Sequence, residues 1–392
     1  MINLERLIDG IPSFAKEKVN EVFDSINIIT QAGNPKVLAT MLPSVARGFI
    51  LKMGKQNEPV LMKSGHSTHF DFNYGGDFPE IFELFRNAKQ NQWDSDQTLD
   101  WSTNVDPMNP EKELLPDSFC PFDDFEQNGI KLSKKEKTEF KYCISTWMLS
   151  QFLHGEQGAL FAAAQVTESV KWMDAKFYAS TQVMDEGRHV EVFLRYLDTK
   201  LKRLYQVNDN LFVIIDQLMT DSRWDMKFLG MQIMIEGLAL GAFGNMYLNT
   251  KEPLLKELLK YVIQDEARHV HFGVLALSKY IKGELSEKER REREDWAFEV
   301  ALLMKKRFLA HEVYEEWFEG TIKKQDWNRY ISNTQGMVSF RRMMFKRLVP
   351  NLKYIGLLSP RIQEKYQKAG LLCYADEKNA SEITFAELLK IE

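Results

Sequence analysis

The strongest constraint in the sequence is a doubled pattern. Asp185-Glu186-Gly187-Arg188-His189 and Asp265-Glu266-Ala267-Arg268-His269 both read Asp-Glu-x-Arg-His and lie 80 positions apart. One such match arises by chance in about one chain in a few hundred of this length, so two are not coincidence. Within each pattern Glu and His are three positions apart, which on a helix sets both side chains on one face, within reach of a single ion. Thirty positions before each of these glutamates stands another, Glu156 in LHGEQGALFAAAQV and Glu236 in MQIMIEGLALGAF. The two halves share this spacing to the residue.

Glu156 and Glu236 sit among apolar residues, where an unpaired carboxylate costs several kcal/mol and would normally take up a proton. Something must compensate them. Four carboxylates match the charge of two divalent cations, and two imidazoles complete the coordination without adding charge. The candidate ligand set is therefore Glu156, Glu186, His189, Glu236, Glu266 and His269. Mixed carboxylate and imidazole donors suit iron or manganese better than thiolate-seeking zinc or copper(I), which makes a pair of irons the leading occupant and a manganese–iron pair the second.

The rest of the chain supports an all-α reading. From about residue 133 the sequence is rich in Glu, Lys, Leu, Ala and Met, and long helices are expected near 133–168, 171–205, 224–249, 252–282 and 286–319. Ser133 with Glu136 and Ser286 with Glu289 match the capping-box pattern, and Pro253 after Thr250 suits a first helical turn. Short joins between long helices favour antiparallel neighbours. Residues 1–130 instead scatter Pro, Gly, Asn and aromatics, which predicts a cap of short helices and loops packed on a helical bundle over 131–320. A C-terminal helical extension follows over 321–392.

Composition closes off several function classes. The formal net charge is −5, which gives no chain-wide attraction for nucleic acid or an anionic membrane. Cys120, Cys143 and Cys373 are too few and too scattered for a disulfide framework or a thiolate site. The opening residues MINLERLIDG carry Glu5, Arg6 and Asp9 where a secretory signal needs an apolar run, which points to the cytoplasm. Residues 228–248 contain Glu236 as their one charge, yet Gln232 and Asn245 interrupt them and no second span is expected, so a buried bundle helix is preferred over a membrane segment.

On these motifs the chain resembles the ferritin-like diiron-carboxylate superfamily, over roughly residues 133–285. That superfamily includes multicomponent monooxygenase hydroxylases, acyl-carrier-protein desaturases, ribonucleotide reductase small subunits and arylamine N-oxygenases. A Glu from each of two helices plus Glu-x-x-His from each of two others is its ligand set. The resemblance implies an antiparallel four-helix bundle with extra flanking helices. It places Glu156, Glu186 and His189 on one iron and Glu236, Glu266 and His269 on the other, with Glu186 and Glu266 bridging. Asp185 and Asp265 would fix the ligand imidazoles, Arg188 and Arg268 would neutralise those aspartates, and Gln232 would hydrogen-bond Glu236 one turn away.

The implied activity is a dioxygen-activating diiron oxidase or oxygenase acting on a small organic substrate. No flavin, nicotinamide or iron–sulfur fingerprint is present, so a separate electron donor such as a ferredoxin or reductase is implied. An iron-oxidising or iron-handling protein and an acyl desaturase are the alternatives, and a homodimer is one compatible assembly. The threonine that hydroxylases and desaturases place three or four residues after the second-half glutamate is replaced by Ala239 and Leu240. The radical-forming tyrosine position of the reductase subunits holds Ala163. Both departures weigh against those particular subgroups.

Other features read as structural. Tyr178 and Tyr247 are expected to be packing residues, His66 and His69 a polar loop, and His154 and His271 are rotated away from the ligand face. Glu191 is read as a supporting or surface group. The small residues Gly155, Gly158, Ala159, Gly237, Ala239 and Gly241 allow either a cavity or close helix packing. Arg341, Arg342, Lys346 and Arg347 form a basic stretch that could receive an acidic donor protein.

Overall fold

Residues 27–389, apart from 28, 57, 73 and 75, are described by a computed structural model. Among them there are helices and loops and no strand. The opening segment MINLERLIDG lies outside the described residues.

Four long helices carry the doubled pattern: α3 (Lys134–Ser169), α4 (Met173–Arg195), α6 (Trp224–Asn249) and α7 (Pro253–Gly283). Before them come α1 (Pro35–Val45) and α2 (Pro79–Gln90), and α5 (Asp209–Thr220) intervenes between α4 and α6. Two further long helices follow, α8 (Glu287–Arg307) and α9 (Gln335–Tyr354). α3 packs along α4, α6 lies against both α7 and α9, and α2 crosses α4 and α7.

The helix starts follow the local chemistry. Ser133 Oγ accepts from Glu136 N at 3.3 Å while Glu136 Oε2 accepts from Ser133 N at 2.7 Å. Ser286 and Glu289 repeat this exchange at 3.4 and 3.0 Å, so both expected capping boxes form and satisfy donors that the first turn leaves open. At α7 the cap is Glu252, whose carboxylate accepts from Leu254 N and Leu255 N at 3.0 and 2.7 Å, with Pro253 as the first helical residue.

Three expectations are corrected. The helix expected over 171–205 is regular only to Arg195, continues as a π-turn over Tyr196–Leu201 and stops at Lys202, whose φ is +56°. The helix expected over 286–319 ends at Arg307 and restarts as His311–Trp317 after Ala310 adopts φ +48°. No glycine or proline marks that break. Tertiary packing holds it, because Phe308 and Ala310 bury themselves and the Trp327 indole N–H takes the freed Leu309 carbonyl at 2.7 Å. Helix α5 falls in a stretch with no expected helix. It packs against α1, α3 and α8, and its apolar residues Leu211, Phe212, Ile214, Ile215, Leu218 and Met219 keep mostly to one side, a helical period present in the sequence itself.

Helix α6 passes in 94% burial through the centre of the protein, as a core helix rather than an exposed apolar segment. The expectation of a single stretch long and apolar enough to cross a membrane fails, since Pro35–Lys55 also meets that length and composition with 28% burial. α6 is also irregular. Leu229–Ile235 is π-helical, and regular α-helix resumes at Glu236 itself. Gly273 of α7 lets the backbones approach here, since a Cβ on it would stand 2.5 Å from Gln232 Cβ.

Candidate metal centre

Helices α3, α4, α6 and α7 each send carboxylates or imidazoles to one buried point. Oxygen and nitrogen atoms of Glu156, Glu186, His189 and Glu266 lie within 4.8 Å of one another, and so do those of Glu186, Glu236 and His269. All six candidate ligands are buried. Glu186 spans the two groups, with Oε2 3.4 Å from His189 Nδ1 and Oε1 3.1 Å from His269 Nδ1. Glu266 Oε1 also lies between the rings, 3.2 Å from His189 Nδ1 and 3.7 Å from His269 Nδ1. Glu156 approaches His189 Nδ1 at 3.3 Å.

Both imidazoles present Nδ1 to the carboxylates and Nε2 to an aspartate of the opposite repeat. His189 Nε2 lies 3.2 Å from Asp265 Oδ2, and His269 Nε2 lies 3.2 Å from Asp185 Oδ2. Arg188 ties the two aspartates together, donating to Asp185 Oδ1 at 2.6 Å and Asp265 Oδ2 at 2.9 Å. Arg268 donates to Asp265 and stands 3.9 Å from Asp185. These contacts fix which ring nitrogen faces the cluster, and the arginines offset the aspartate charge.

Electrostatics shows how strained the carboxylates are by themselves. Burial, then the Glu266 charge, pushes the Glu156 carboxyl well above its ordinary range, and burial with Glu186 and Glu266 does the same to Glu236. Burial also works to raise Glu186, but His269 and His189 outweigh it and hold that carboxyl low. Burial opposes charge on both imidazoles, yet Asp265 and the surrounding glutamates raise His189, and Glu186 above all raises His269. Like charges forced together in a dry pocket thus retain protons.

The donor set fits divalent cations on a direct observation. Glu186 Oε2, Glu236 Oε2, both Glu266 oxygens and His269 Nδ1 are buried and have no hydrogen-bond partner. Buried polar atoms are almost always paired, and these five belong to residues whose ligand atoms gather within 4.8 Å of one another in two groups. A metal ion held among them would satisfy them.

The sequence pattern left several contributors out. Gln182, one turn before Glu186, donates from Nε2 to Glu236 Oε1 at 2.8 Å and to Glu186 Oε1 at 3.2 Å. Gln232 reaches Gln182 Oε1 at 3.3 Å rather than Glu236, so it supports that ligand through a second amide. From the N-terminal region, Gln92 bridges Arg188 and Asp185 at 2.8 Å each, and the Trp93 indole donates to Asp265 Oδ2 at 2.8 Å. The i, i+4 position of Gln182 was a usable signal. Nothing in the irregular segment around Gln92 and Trp93 indicated their reach.

The remaining candidates lie apart. His154 contacts Tyr205 O at 2.8 Å, His66 contacts Glu168 at 2.7 Å, and Glu191 accepts from Ser95. His271 belongs to neither ligand group. Tyr178 packs on Phe272 with ring centroids 4.5 Å apart. The residues 341–348 do not form one free basic face, because Lys346 pairs with Glu377 at 2.8 Å and Arg341 donates to Ser332 O. The small residues divide. Gly155, Ala159 and Ala239 line a cavity, whereas Gly158 and Gly241 let Ile215 and Met343–Met344 approach closely.

No protein-family model matches the chain, and no curated protein matches its sequence.

Proposed function

We propose that the chain is a ferritin-like diiron protein that uses dioxygen to oxidise a small organic substrate, drawing electrons from a separate donor. The observation that carries this reading is the set of partnerless carboxylate oxygens converging from α4, α6 and α7, with Glu156 joining them from α3 and both imidazoles held by crossed aspartates. Glu156, Glu186 and His189 would hold one iron, Glu236, Glu266 and His269 the other, and Glu186 and Glu266 would bridge. Two irons bound there would supply the reduction of dioxygen and the oxidising power directed at the substrate.

The protein's own residues would do the rest. Asp185 and Asp265 keep the imidazoles aimed, and Arg188 ties the two aspartates together. Gln182 fixes one oxygen of Glu236 and leaves the other free to change its mode of binding. Apolar walls from Phe152, Phe243 and Leu238 keep bulk water from the ligands Glu156 and Glu236.

The test is anaerobic loading with ferrous iron followed by dioxygen and a chemical reductant. Oxygen uptake above the free-iron control, with iron still bound after gel filtration, supports the oxidase reading. With excess ferrous iron supplied and the reductant left out, retention of ferric iron far beyond two per chain favours the iron-handling alternative, and no uptake above the control overturns both.

A further inference from the structure

A cavity of about 20 Å³ adjoins Glu156 and Glu236. That is room for one water-sized group. Its wall is otherwise small or apolar, from Phe152, Gly155, Ala159, Ala239, Met304 and Met344, with Gln151 at one side. One charged side chain besides the two glutamates enters it, Arg307 in the last turn of α8.

Arg307 is 5% exposed, and its surroundings do not complete it. Its NH1 reaches Met304 Sδ at 3.5 Å, its guanidinium carbon lies 4.6 Å from the Phe308 ring centroid, and its Nε has no hydrogen-bond partner. Among the described residues no carboxylate forms an ion pair with it, although the Glu156 charge is near enough to favour its cation. By contrast, Arg203, Arg223 and Arg293 each have an acidic partner within 3 Å. A thioether and a ring face replace little of the hydration that burial removes from a guanidinium.

We propose that Arg307 anchors the carboxylate of an organic acid, held in this cavity with its apolar body beside Glu156 and Glu236. This rests on the oxidase reading above and names the class of its substrate. The planar fork of N–H donors matches a carboxylate in two parallel hydrogen bonds. The Gln151 amide is already engaged by Gln206 O and Asn208 N, at 2.9 and 2.7 Å, so the wall offers little to a second polar group and the rest of the molecule is apolar. At its present size the cavity admits one water-sized group, so the acid and its apolar body enter by rotation of Met304 and Met344, unbranched side chains that repack readily. Glu156 and Glu236 cannot serve as the permanent partners of Arg307 while they bind metal.

Calorimetric titration of the full-length purified protein with acetate, butyrate and benzoate tests this, with butyramide and benzamide as neutral counterparts. Metal content and thermal midpoint are measured on the same samples. The expected result is saturable binding of at least one acid, at least about tenfold tighter than its amide. Arg307→Met weakens that acid by about tenfold or more, with metal content unchanged and the midpoint equal or higher, and Arg307→Lys recovers part of the affinity. Binding of no acid, equal binding of acid and amide, or acid binding that survives Arg307→Met overturns the proposal. So does a sharp fall in the Arg307→Met midpoint, the mark of a structural ion pair. Loss of the oxidase reading shows separately, as wild-type protein without metal, whatever the acids do.

Discussion

His189 turns Nε2 to Asp265 at 3.2 Å, so the aspartate of the second repeat holds the histidine of the first. Asp185 returns the same contact to His269. The repeats are therefore interlocked, and neither half can aim its imidazole without the other. Asp265→Asn keeps the size of the side chain but removes the charge that His189, Arg188, Arg268 and Trp93 share. Metal affinity, measured by chelator competition, is expected to fall about 10- to 100-fold, and unchanged affinity would show that the crossed contacts are incidental.

Metal binding should release protons. Burial and neighbouring carboxylates raise Glu156 and Glu236, and Asp265 and the glutamates raise His189, so the metal-free cluster holds protons that a cation must displace. Apparent affinity then increases with pH. Titrations with ferrous or manganous ion in two buffers of unlike ionisation enthalpy are expected to give a net release above zero at neutral pH. Proton-neutral binding would contradict the protonated cluster.

Among the described residues Gln182 supplies the one hydrogen bond to the Glu236 carboxylate, at 2.8 Å, since Glu236 Oε2 has no partner there. Gln182→Leu leaves that carboxylate bare, at a cost of about 1–3 kcal/mol. The expected outcome is weaker binding of the metal held by Glu236 and His269, seen as biphasic chelator extraction where the wild type loses both ions together.

Glu299 gives a pH dependence remote from the metal centre. Burial lifts its carboxyl to about 8, only partly offset by the Ala32 N–H it accepts and by Lys365. An unfolded glutamate ionises near about 4.3, so between these values the native state binds the extra proton and stability falls as pH rises. Glu299→Gln is expected to flatten the fall in thermal midpoint between pH 5 and pH 9, read by circular dichroism and leaving metal content intact, with a gain at the alkaline end of roughly a few kcal/mol.

Two glycines should respond differently. A Cβ on Gly241 would meet the Met343 carbonyl oxygen, and Met344 Cα at 2.6 Å, so Gly241→Ala forces α6 and α9 apart at about 1–3 kcal/mol. A Cβ on Gly155 meets nothing within 4 Å. Gly155→Ala is expected to leave the thermal midpoint nearly unchanged.

The parts legible in the sequence were those set by short-range spacing. Ser133 and Ser286 mark their helix starts because capping is local, and the doubled Asp-Glu-x-Arg-His with its upstream glutamates identifies six side chains that the fold does gather. What escaped depends on tertiary contact. The break at Ala310 is fixed by Trp327, seventeen positions on. Gln92 and Trp93 reach the cluster from a segment without periodicity, and the π-turn before Glu236 has no residue signature. Gln232 stands at the helical spacing of a Glu236 partner, but Gln182 from α4 occupies that place.

Metal content after anaerobic reconstitution and desalting, measured by mass spectrometry against protein concentration, tests the centre most directly. The wild type should retain about two irons per chain, as the charge of four carboxylates requires, and a Glu236→Ala and Glu266→Ala double variant should retain fewer than one. A wild type that keeps no metal, or a double variant that keeps as much as the wild type, would contradict the assignment of these residues as a dimetal site.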